Sequence, residues 1–350
     1  MTTGLPATDA ARTDHGPAPG GFARRKLFAI LAGGVPGQCC YAVAKLGVPD
    51  LLAAGPRPVA ELAAETGADP RALGRLLRGL VALGLFRPVP PDGYELTSVG
   101  ELLRADVPGS LRQTAIMHGE VVYRAFAEIM HTVRTGRPAF EQAYGRPFYD
   151  YLADHPDVAE TFAAAMGSEA APAVLGEVDL SGVGTLVDVG GGDGGLLAEV
   201  LRRHPGLRGV LVELPDSVRA AGRRLAAAGL ADRARLVAGD FFESVPGGGD
   251  VYVLARVLHN WTDERAALLL RRTAAAMRPG ARLLVMEKLL PDTIDTQGKA
   301  SVDLLMLGLL EGRDRTEAEY VTLLDKAGLD VLRVRPASGA AEGLIEAVVR

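Results

Sequence analysis

The sequence has few of the residues that would indicate disulfide bonds or a metal-binding knuckle. Its 350 residues include two cysteines and one tryptophan, and aromatic residues make up only 5%. The cysteines, Cys39 and Cys40, are neighbours in the chain. Neighbouring cysteines rarely bridge, and there is no second pair to complete a metal site. We therefore expect both to be reduced, buried residues of a cytoplasmic protein.

The sequence also lacks an excess of positive charge and long apolar runs. Lys and Arg number 38 against 43 Asp and Glu, which gives a net charge of −5. This charge offers no basic field to attract a phosphate backbone or an anionic membrane. No run approaches the roughly 20 apolar residues that span a bilayer. We expect neither nucleic acid nor a membrane as a partner.

The chain is long enough for two domains, and 48% of its residues are hydrophobic, which suits a sizeable core. Residues 1–20 are polar and rich in Ala, Gly and Pro, and we expect a disordered leader there. Residues 21–178 show apolar positions at three- and four-residue spacings, which predicts a mainly helical domain. A change of pattern near Leu180 places a second domain at 179–350.

Within the helical part, the pattern of residues 58–103 predicts a winged-helix unit. Two helices are followed by two short strands joined through a turn at Pro91-Asp92-Gly93. A winged helix often binds DNA, and Arg71, Arg75 and Arg78 on its second helix would face phosphates in that case. Acidic residues interrupt the basic surface, and we expect a structural or dimerisation role instead.

From residue 185 onward, short β-branched or leucine-rich runs alternate with amphipathic helices. This order predicts a parallel, doubly wound sheet, so that the fold class is α/β with a Rossmann-like domain. The connection before the last run, "PASGAAE", is too short for a crossover helix. The last strand is therefore expected to be antiparallel.

A glycine-rich loop follows the first strand of this domain, in "DVGGGDGG". Gly190, Gly192 and Gly195 match the dinucleotide pattern, and Glu213 ends the next strand, where a carboxylate binds a ribose diol. The loop alone fits NAD, S-adenosylmethionine or merely a tight turn. After the third strand, Asp240 and Phe241 place a hydrogen-bond acceptor beside an aromatic face, which suits an adenine ring.

The motifs "DVGGGDG", "VELP", "GDFF" and "RVLHNWTDE" stand in this order in the chain. With them, the chain resembles the plant-type, S-adenosylmethionine-dependent small-molecule O-methyltransferases, in particular the bacterial branch from antibiotic and pigment pathways. The resemblance covers most of the chain. It implies a helical dimerisation domain, a catalytic domain that binds S-adenosylmethionine, and a homodimer.

The resemblance implies cofactor contacts for seven residues. Gly190 and Gly192 would line the methionine part of the cofactor with Asp188 nearby, while Glu213 would hold the ribose hydroxyls. Asp240 and Phe241 would take the adenine. Many plant members have a lysine where this sequence has Ala255, and Arg256 is the candidate replacement.

The resemblance makes His259 the general base that takes the proton of the acceptor hydroxyl. A phenol has a pKa near 10 and is largely protonated at neutral pH, so a base near the methyl group is useful. Glu287 and Asp314 match the two acids that orient this histidine in the family. Asp314 is shorter than the family's usual Glu, so we expect one of the two contacts to run through water.

Four residues are candidates for the acceptor pocket. Met166 and Met306 resemble family residues that sandwich an aromatic acceptor, and Phe162 lies one turn before Met166. We interpret Trp261 as a pocket wall, with core packing as the alternative. The histidines show no metal-ligand spacing, which predicts metal-independent chemistry.

The sequence therefore predicts a homodimeric, cytoplasmic O-methyltransferase that acts on a hydroxyl of an aromatic small molecule such as a polyketide. Three alternatives stay open at this point. One is a relative that binds the same cofactor but assists hydroxylation or decarboxylation. The others are a winged-helix regulator that senses S-adenosylmethionine and an NAD-dependent dehydrogenase.

Overall fold

The computed structural model describes residues 21–167, 172–291, 300–336 and 342–350. The predicted leader, residues 1–20, lies outside the described residues. Within those ranges no single helix has the length and apolar content to cross a membrane. The bent pair Gly21–Leu31 and Gly34–Leu46 meets that test when the two helices are taken together, by length and composition only.

The first half is mainly helical, as predicted. Its helices are α1 (Gly21–Leu31), α2 (Gly34–Leu46), α3 (Val48–Leu51), α4 (Val59–Thr66), α5 (Pro70–Ala82), α6 (Ser98–Glu101), α7 (Arg112–Met117), α8 (Tyr123–Phe126), α9 (Ile129–Thr135), α10 (Ala139–Tyr144), α11 (Phe148–Asp154) and α12 (Pro156–Gly167). A π-helical turn, His118–Val122, joins α7 to α8.

The winged-helix unit forms as the sequence predicts. Strands β1 (Arg57–Pro58), β2 (Phe86–Val89) and β3 (Gly93–Leu96) pair antiparallel in the order β1-β3-β2. Helix α5 begins after Asp69, whose carboxylate accepts the N–H of Ala72 at 2.8 Å. Such a cap satisfies a donor that the first helical turn leaves open. The same helix buries Leu73, Leu77 and Leu80, which share one face.

The second half alternates strands and helices. Its strands are β4 (Thr185–Val189), β5 (Arg208–Glu213), β6 (Ala234–Ala238), β7 (Val251–Ala255), β8 (Arg282–Glu287), β9 (Leu289–Leu290), β10 (Arg315–Thr316), β11 (Leu329–Arg335) and β12 (Gly343–Val349). Its helices are α13 (Gly195–Arg203), α14 (Pro215–Ala227), α15 (Asp263–Ala276), α16 (Ala300–Leu309) and α17 (Glu317–Lys326).

Seven of the described strands form one sheet in the order β11-β12-β8-β7-β4-β5-β6. The neighbours from β8 to β6 are parallel, whereas β12 pairs antiparallel with both β8 and β11. The α/β class and the antiparallel last strand are thus confirmed. The chain reverses direction across the sheet between β4 and β7. In open α/β sheets, ligands bind at the carboxyl ends of the strands at such a switch point.

Side chains of the central strands alternate between two hydrophobic clusters. On β4, Val187 and Val189 pack into one cluster, with residues of α15 and α17, while Leu186 packs into the other, with residues of α13 and α14. Burial on both faces fixes the strands firmly, as expected for a parallel sheet. The loops at the strand ends therefore rest on a rigid platform. The boundary at residue 178 stays a prediction.

Candidate active site

The glycine loop after β4 leaves open space for a ligand. Gly190 and Gly192 adopt φ values of 74° and 56°, which side chains rarely tolerate. A Cβ on Gly190 would lie 3.0 Å from Val257, whereas one on Gly192 would meet nothing within 4 Å. The loop thus packs against the protein at Gly190 and faces open space at Gly192, where a ligand can approach the backbone.

A buried carboxylate, Asp188, and a partly buried one, Glu213, lie at the ends of the strands beside this loop. Asp188 is 1% exposed, and its Oδ2 has no hydrogen-bond partner among the described residues. Burial, with the nearby charge of Glu213, raises the pKa of Asp188 to about 7. Burial also raises the pKa of Glu213, although backbone N–H groups of Leu214 and Gly192 oppose the shift. Polar groups left in this state are satisfied when a ligand supplies donors, such as the hydroxyls of a ribose.

The predicted adenine pair stands beside the loop. Asp240 is exposed, and its Oδ1 accepts the N–H of Phe242 at 2.7 Å, which fixes the turn after β6. The ring of Phe241 would lie 3.4 Å from a Cβ on Gly190. The ring of Phe241 therefore borders the glycine loop, while the adenine-binding role of Asp240 and Phe241 stays a prediction.

An aromatic stack joins helix α11 to the segment after β7, and its main member was missed by the sequence analysis. Tyr149 of α11 stacks on Trp261 with ring centroids 5.3 Å apart and an interplanar angle of 22°. Burial, and then the charge of Glu213, raises the pKa of Tyr149. Phe162 meets Tyr149 edge-on at 6.4 Å. The helical half thus contacts the segment after β7 through an aromatic residue that no local motif marks.

Trp261 lies in a sandwich. The guanidinium of Arg265 lies 4.6 Å from its ring centroid, and Phe242 contacts it edge-on at 4.7 Å. Its Nε1 is buried without a partner among the described residues. The ring packs against the core cluster and meets Phe241 edge-on, whereas its role as a pocket wall stays a prediction.

His259 lies at the carboxyl end of β7, in a 3₁₀ turn at Leu258–Asn260. Its Nδ1 is 3.0 Å from Oε2 of Glu287, which is fully buried at the end of β8. The other oxygen of Glu287 accepts the N–H groups of Val257, Leu258 and His259 at 2.9, 2.7 and 3.4 Å. A single carboxylate therefore fixes the turn with one oxygen and faces the imidazole with the other.

The electrostatics favour a protonated His259 more than burial alone would. Burial lowers the pKa of His259, but the charge of Glu287, its hydrogen bond to the imidazole and a smaller contribution from Asp314 together raise the pKa above the ordinary value. A carboxylate next to Nδ1 selects the tautomer that carries its proton there, and Nε2 is then left as a proton acceptor.

A short parallel pair brings Asp314 to the same place. Strand β9 begins two residues after Glu287, and β10 begins directly after Asp314; they pair with Leu289 opposite Arg315. Oδ1 of Asp314 lies 3.9 Å from Nδ1 of His259, and Oδ2 lies 3.9 Å from Nζ of Lys288. Both oxygens are buried without a hydrogen-bond partner among the described residues. The distances are longer than hydrogen bonds, in line with the shorter side chain.

Arg256 and the two predicted methionines differ in their burial and contacts. Arg256 has a φ of 56°, and its Nε donates to Oε1 of Glu342 at 2.6 Å. Its charge lowers the pKa of His259, against the larger effect of Glu287. Met306 on α16 is buried at 8% exposure, whereas Met166 on α12 is 45% exposed. Within the described ranges, no group of three or more His, Cys, Asp and Glu is arranged to hold a metal ion.

Family profiles and related proteins match most of the chain. The profile of the O-methyltransferase dimerisation domain matches residues 30–106, and that of the O-methyltransferase domain matches residues 126–330. The phenazine O-methyltransferase of Lysobacter antibioticus is 42% identical over 317 residues, which are 89% of this chain and 93% of that protein.

Two further relatives bear on the chemistry. An O-methyltransferase from neocarzinostatin biosynthesis, solved with S-adenosylmethionine and 2-hydroxy-5-methyl naphthoic acid, is 36% identical, with a TM-score of 0.78 over 90% of this chain and 96% of that one. The aclacinomycin 10-hydroxylase of Streptomyces purpurascens is 41% identical over 295 residues, 82% of this chain and 79% of that protein.

Proposed function

Since this chain belongs to the O-methyltransferase family, we propose that it moves a methyl group from S-adenosylmethionine to a hydroxyl of an aromatic small molecule, with His259 as the general base. The observation that carries the proposal is the position of His259 at the carboxyl end of β7, with Nδ1 3.0 Å from the buried carboxylate of Glu287. A base oriented in this way leaves one ring nitrogen available to the acceptor.

The residues beside the glycine loop fit the cofactor. Gly192 leaves open space, the buried Asp188 has an oxygen without a partner, and Glu213 offers a carboxylate for a ribose. Asp240 and Phe241 would hold the adenine, and Arg256 is the proposed replacement for the lysine of other members. When bound, S-adenosylmethionine supplies the methyl group on a good leaving group, so alignment and proton removal are what the protein adds.

His259 removes the proton. As the acceptor oxygen becomes nucleophilic, its proton moves to Nε2 of His259, and the charge of Glu287 stabilises the imidazolium that forms. Asp314 adds negative charge at 3.9 Å without a direct hydrogen bond, and a bridging water would complete that contact. Because the elevated pKa of His259 belongs to a base that must be neutral to act, activity rises with pH through that pKa.

The acceptor is proposed to lie between the two halves of the chain. Trp261 and Phe162 supply aromatic surface, while Met166 and Met306 supply flexible apolar contacts that suit flat rings of varied shape. The related enzyme that was solved with a naphthoic acid supports an aromatic acceptor of similar size.

A homodimer is proposed for the whole protein. Residues 30–106 match a dimerisation domain, and the chain leaves a contiguous set of large apolar side chains exposed near its start. The set consists of Phe22, Leu27, Phe28, Ile30, Leu31 and Val35. Apolar clusters of this kind commonly mark protein interfaces. A cytoplasmic location, metal-independent chemistry and the division into residues 21–178 and 179–350 are further parts of the proposal.

The test is transfer of label from methyl-labelled S-adenosylmethionine to a panel of phenols and hydroxyquinones, with the product identified by mass and fragmentation. We expect label on a phenolic oxygen and a loss of roughly 10²–10⁴ in kcat for His259→Gln, the usual range for a general base. His204→Gln is the control, since His204 lies in the connection from α13 to β5, at the amino end of the strands. Equal activity of both variants would rule out His259 as the base.

A second candidate function is supported by one relative, which is named a hydroxylase although it is 41% identical to this chain. In that case the protein binds S-adenosylmethionine without transferring its methyl group. Calorimetric binding of the cofactor, no methyl transfer to any acceptor, and conversion of a polyketide-like substrate to a hydroxylated product with uptake of O₂ as the oxidant would favour this candidate over the first.

A further inference from the structure

Arg315 is a fully buried arginine whose guanidinium lies directly beneath the turn that carries His259. We define this histidine turn as residues 257–261. Nη1 of Arg315 donates to the carbonyl oxygen of Leu258 at 3.0 Å, and Nη2 donates to that of Trp261 at 2.7 Å. These two carbonyls flank His259 and Asn260 in the chain, so one planar guanidinium joins both ends of the catalytic segment.

The charge of Arg315 is balanced by Asp263, the first residue of α15. Nε of Arg315 donates to Oδ1 of Asp263 at 2.8 Å. Burial opposes ionisation of Asp263, but the hydrogen bonds and charges of Arg315 and Arg313 together outweigh it and hold the pKa of this carboxyl below its usual range. A buried guanidinium is tolerated only when its donors are satisfied, so this position under the turn is specific.

The backbone just before Arg315 also packs against the histidine turn. A Cβ on Gly312 would lie 1.9 Å from the carbonyl oxygen of His259 and 2.6 Å from the N of Trp261. No side chain has room there, and the backbone before Asp314 therefore packs directly on the histidine turn. The same short segment supplies Asp314, which faces the imidazole, and Arg315, which binds the carbonyls.

The histidine turn is thus held from two sides by opposite charges. Glu287 accepts its N–H groups, and Arg315 donates to its carbonyl groups. From this geometry we infer that Arg315, anchored by Asp263, is a positioning residue that keeps the imidazole of His259 aligned with Glu287 and with the acceptor oxygen. The inference rests on the proposed function, because it assigns a role within the same site.

The experiment compares Arg315→Lys with wild type in the methyl-transfer assay. Lysine keeps the charge but cannot bridge two carbonyls and a carboxylate in one plane. We expect a loss in kcat on the order of 10²-fold, the size that a misplacement of about 1 Å produces, with the KM of the acceptor and the Kd of S-adenosylhomocysteine within threefold. The imidazole of His259 should also titrate at a changed pH in labelled-histidine NMR.

A matched control is available in Arg233→Lys. Arg233 also donates to backbone carbonyls, those of Leu201, His204, Pro205 and Leu207, but it precedes β6 and lies at the amino end of the strands. This variant should lower the melting temperature and leave kcat and the His259 titration unchanged. The same pattern in Arg315→Lys would overturn the inference, since it would indicate a purely structural role.

Asp263→Asn serves if Arg315→Lys does not fold. Asp263 is 48% exposed and asparagine has nearly the same shape, so this replacement disturbs the packing little. A loss in kcat on the order of 10-fold with unchanged cofactor affinity supports the inference, because Arg315 loses its counter-charge but keeps both carbonyls. Unchanged kcat and an unchanged His259 titration overturn it. If the wild type methylates no acceptor, the proposed function fails, while the NMR comparison still decides the role of Arg315.

Discussion

Replacement of Glu287 by glutamine tests the orientation of His259 most directly. Oε1 of Glu287 accepts three backbone N–H groups, so a glutamine must place its oxygen there. The opposite orientation of the amide would place its NH₂ group against those three N–H donors. The amide nitrogen then occupies the position of Oε2, 3.0 Å from Nδ1 of His259. Because this NH₂ only donates, it selects the tautomer with the proton on Nε2, which cannot act as a base.

The size of the effect follows from this contact. A hydrogen bond to a charged group contributes about 1.5–3 kcal/mol, and its loss alone corresponds to roughly 10–150-fold in rate. The wrong tautomer adds to this, and an equivalent change in a Ser-His-Asp triad costs about 10⁴ in kcat. We therefore expect Glu287→Gln to lower kcat by roughly 10²–10⁴.

The assay is the initial rate of methyl transfer between pH 5.5 and 9. In the wild type, Glu287 raises the pKa of His259, and a neutral base is required, so the acid limb of kcat/KM lies above the ordinary histidine value. In the variant burial dominates, and the limb moves to lower pH. At pH 7 the variant should therefore be slower than the wild type, even though a larger fraction of its His259 is neutral.

Glu346→Gln is the matched control. Glu346 is also a buried carboxylate on the sheet, but its partners are Arg282 and Arg333. We expect it to lower stability and leave kcat and the pH profile unchanged. A kcat for Glu287→Gln within threefold of wild type, with the acid limb in its original place, would refute the role assigned to Glu287.

Three further predictions address the rest of the site. Glu213→Ala should raise the Kd of S-adenosylhomocysteine in calorimetry by roughly 10–100-fold, because hydrogen bonds to a charged group are lost; a Kd within twofold would remove Glu213 from the cofactor site. Gly190→Ala should lower the free energy of unfolding in urea by about 1–2 kcal/mol, since φ is 74° and the new Cβ would lie 3.0 Å from Val257; an unchanged midpoint would contradict this strain. Chelator should change the rate less than twofold, and activity that is lost with chelator and restored by magnesium would argue against metal-independent transfer.

The strands of the second half were readable from the sequence because their signals are local. The runs that contain Val187, Val253 and Ile345 each became a strand of the main sheet. A strand buried on both faces needs a short continuous apolar run, and such a run is visible without knowledge of its neighbours. The antiparallel last strand followed from a connection too short for a crossover.

The glycine loop and the position of His259 were predictable for a similar reason. Gly190 and Gly192 have positive φ, and glycine is the residue that adopts it without strain, so the backbone requirement is visible as residue type. His259 follows a predicted strand, and the carboxyl ends of parallel strands meet at one edge of the sheet. The catalytic roles assigned to these residues stay predictions.

Contacts between distant segments could not be read from the sequence. Tyr149 reaches Trp261 across 112 positions of chain, and its own neighbourhood carries no motif for such a stack. Arg315 stands in a segment that reads as the start of a helix, with nothing to mark its guanidinium as a support for the turn at His259.

By itself, the sequence determined which segments form strands and helices and which loop can approach a ligand, because periodicity and backbone conformation depend on neighbouring residues. Tertiary structure alone decided that β9 and β10 pair and so bring Asp314 to within 3.9 Å of the imidazole that Glu287 faces. Each of those strands is two residues long, too short to show a pattern. The two strands can pair only once the fold has placed the carboxyl end of β8 beside the segment before α17.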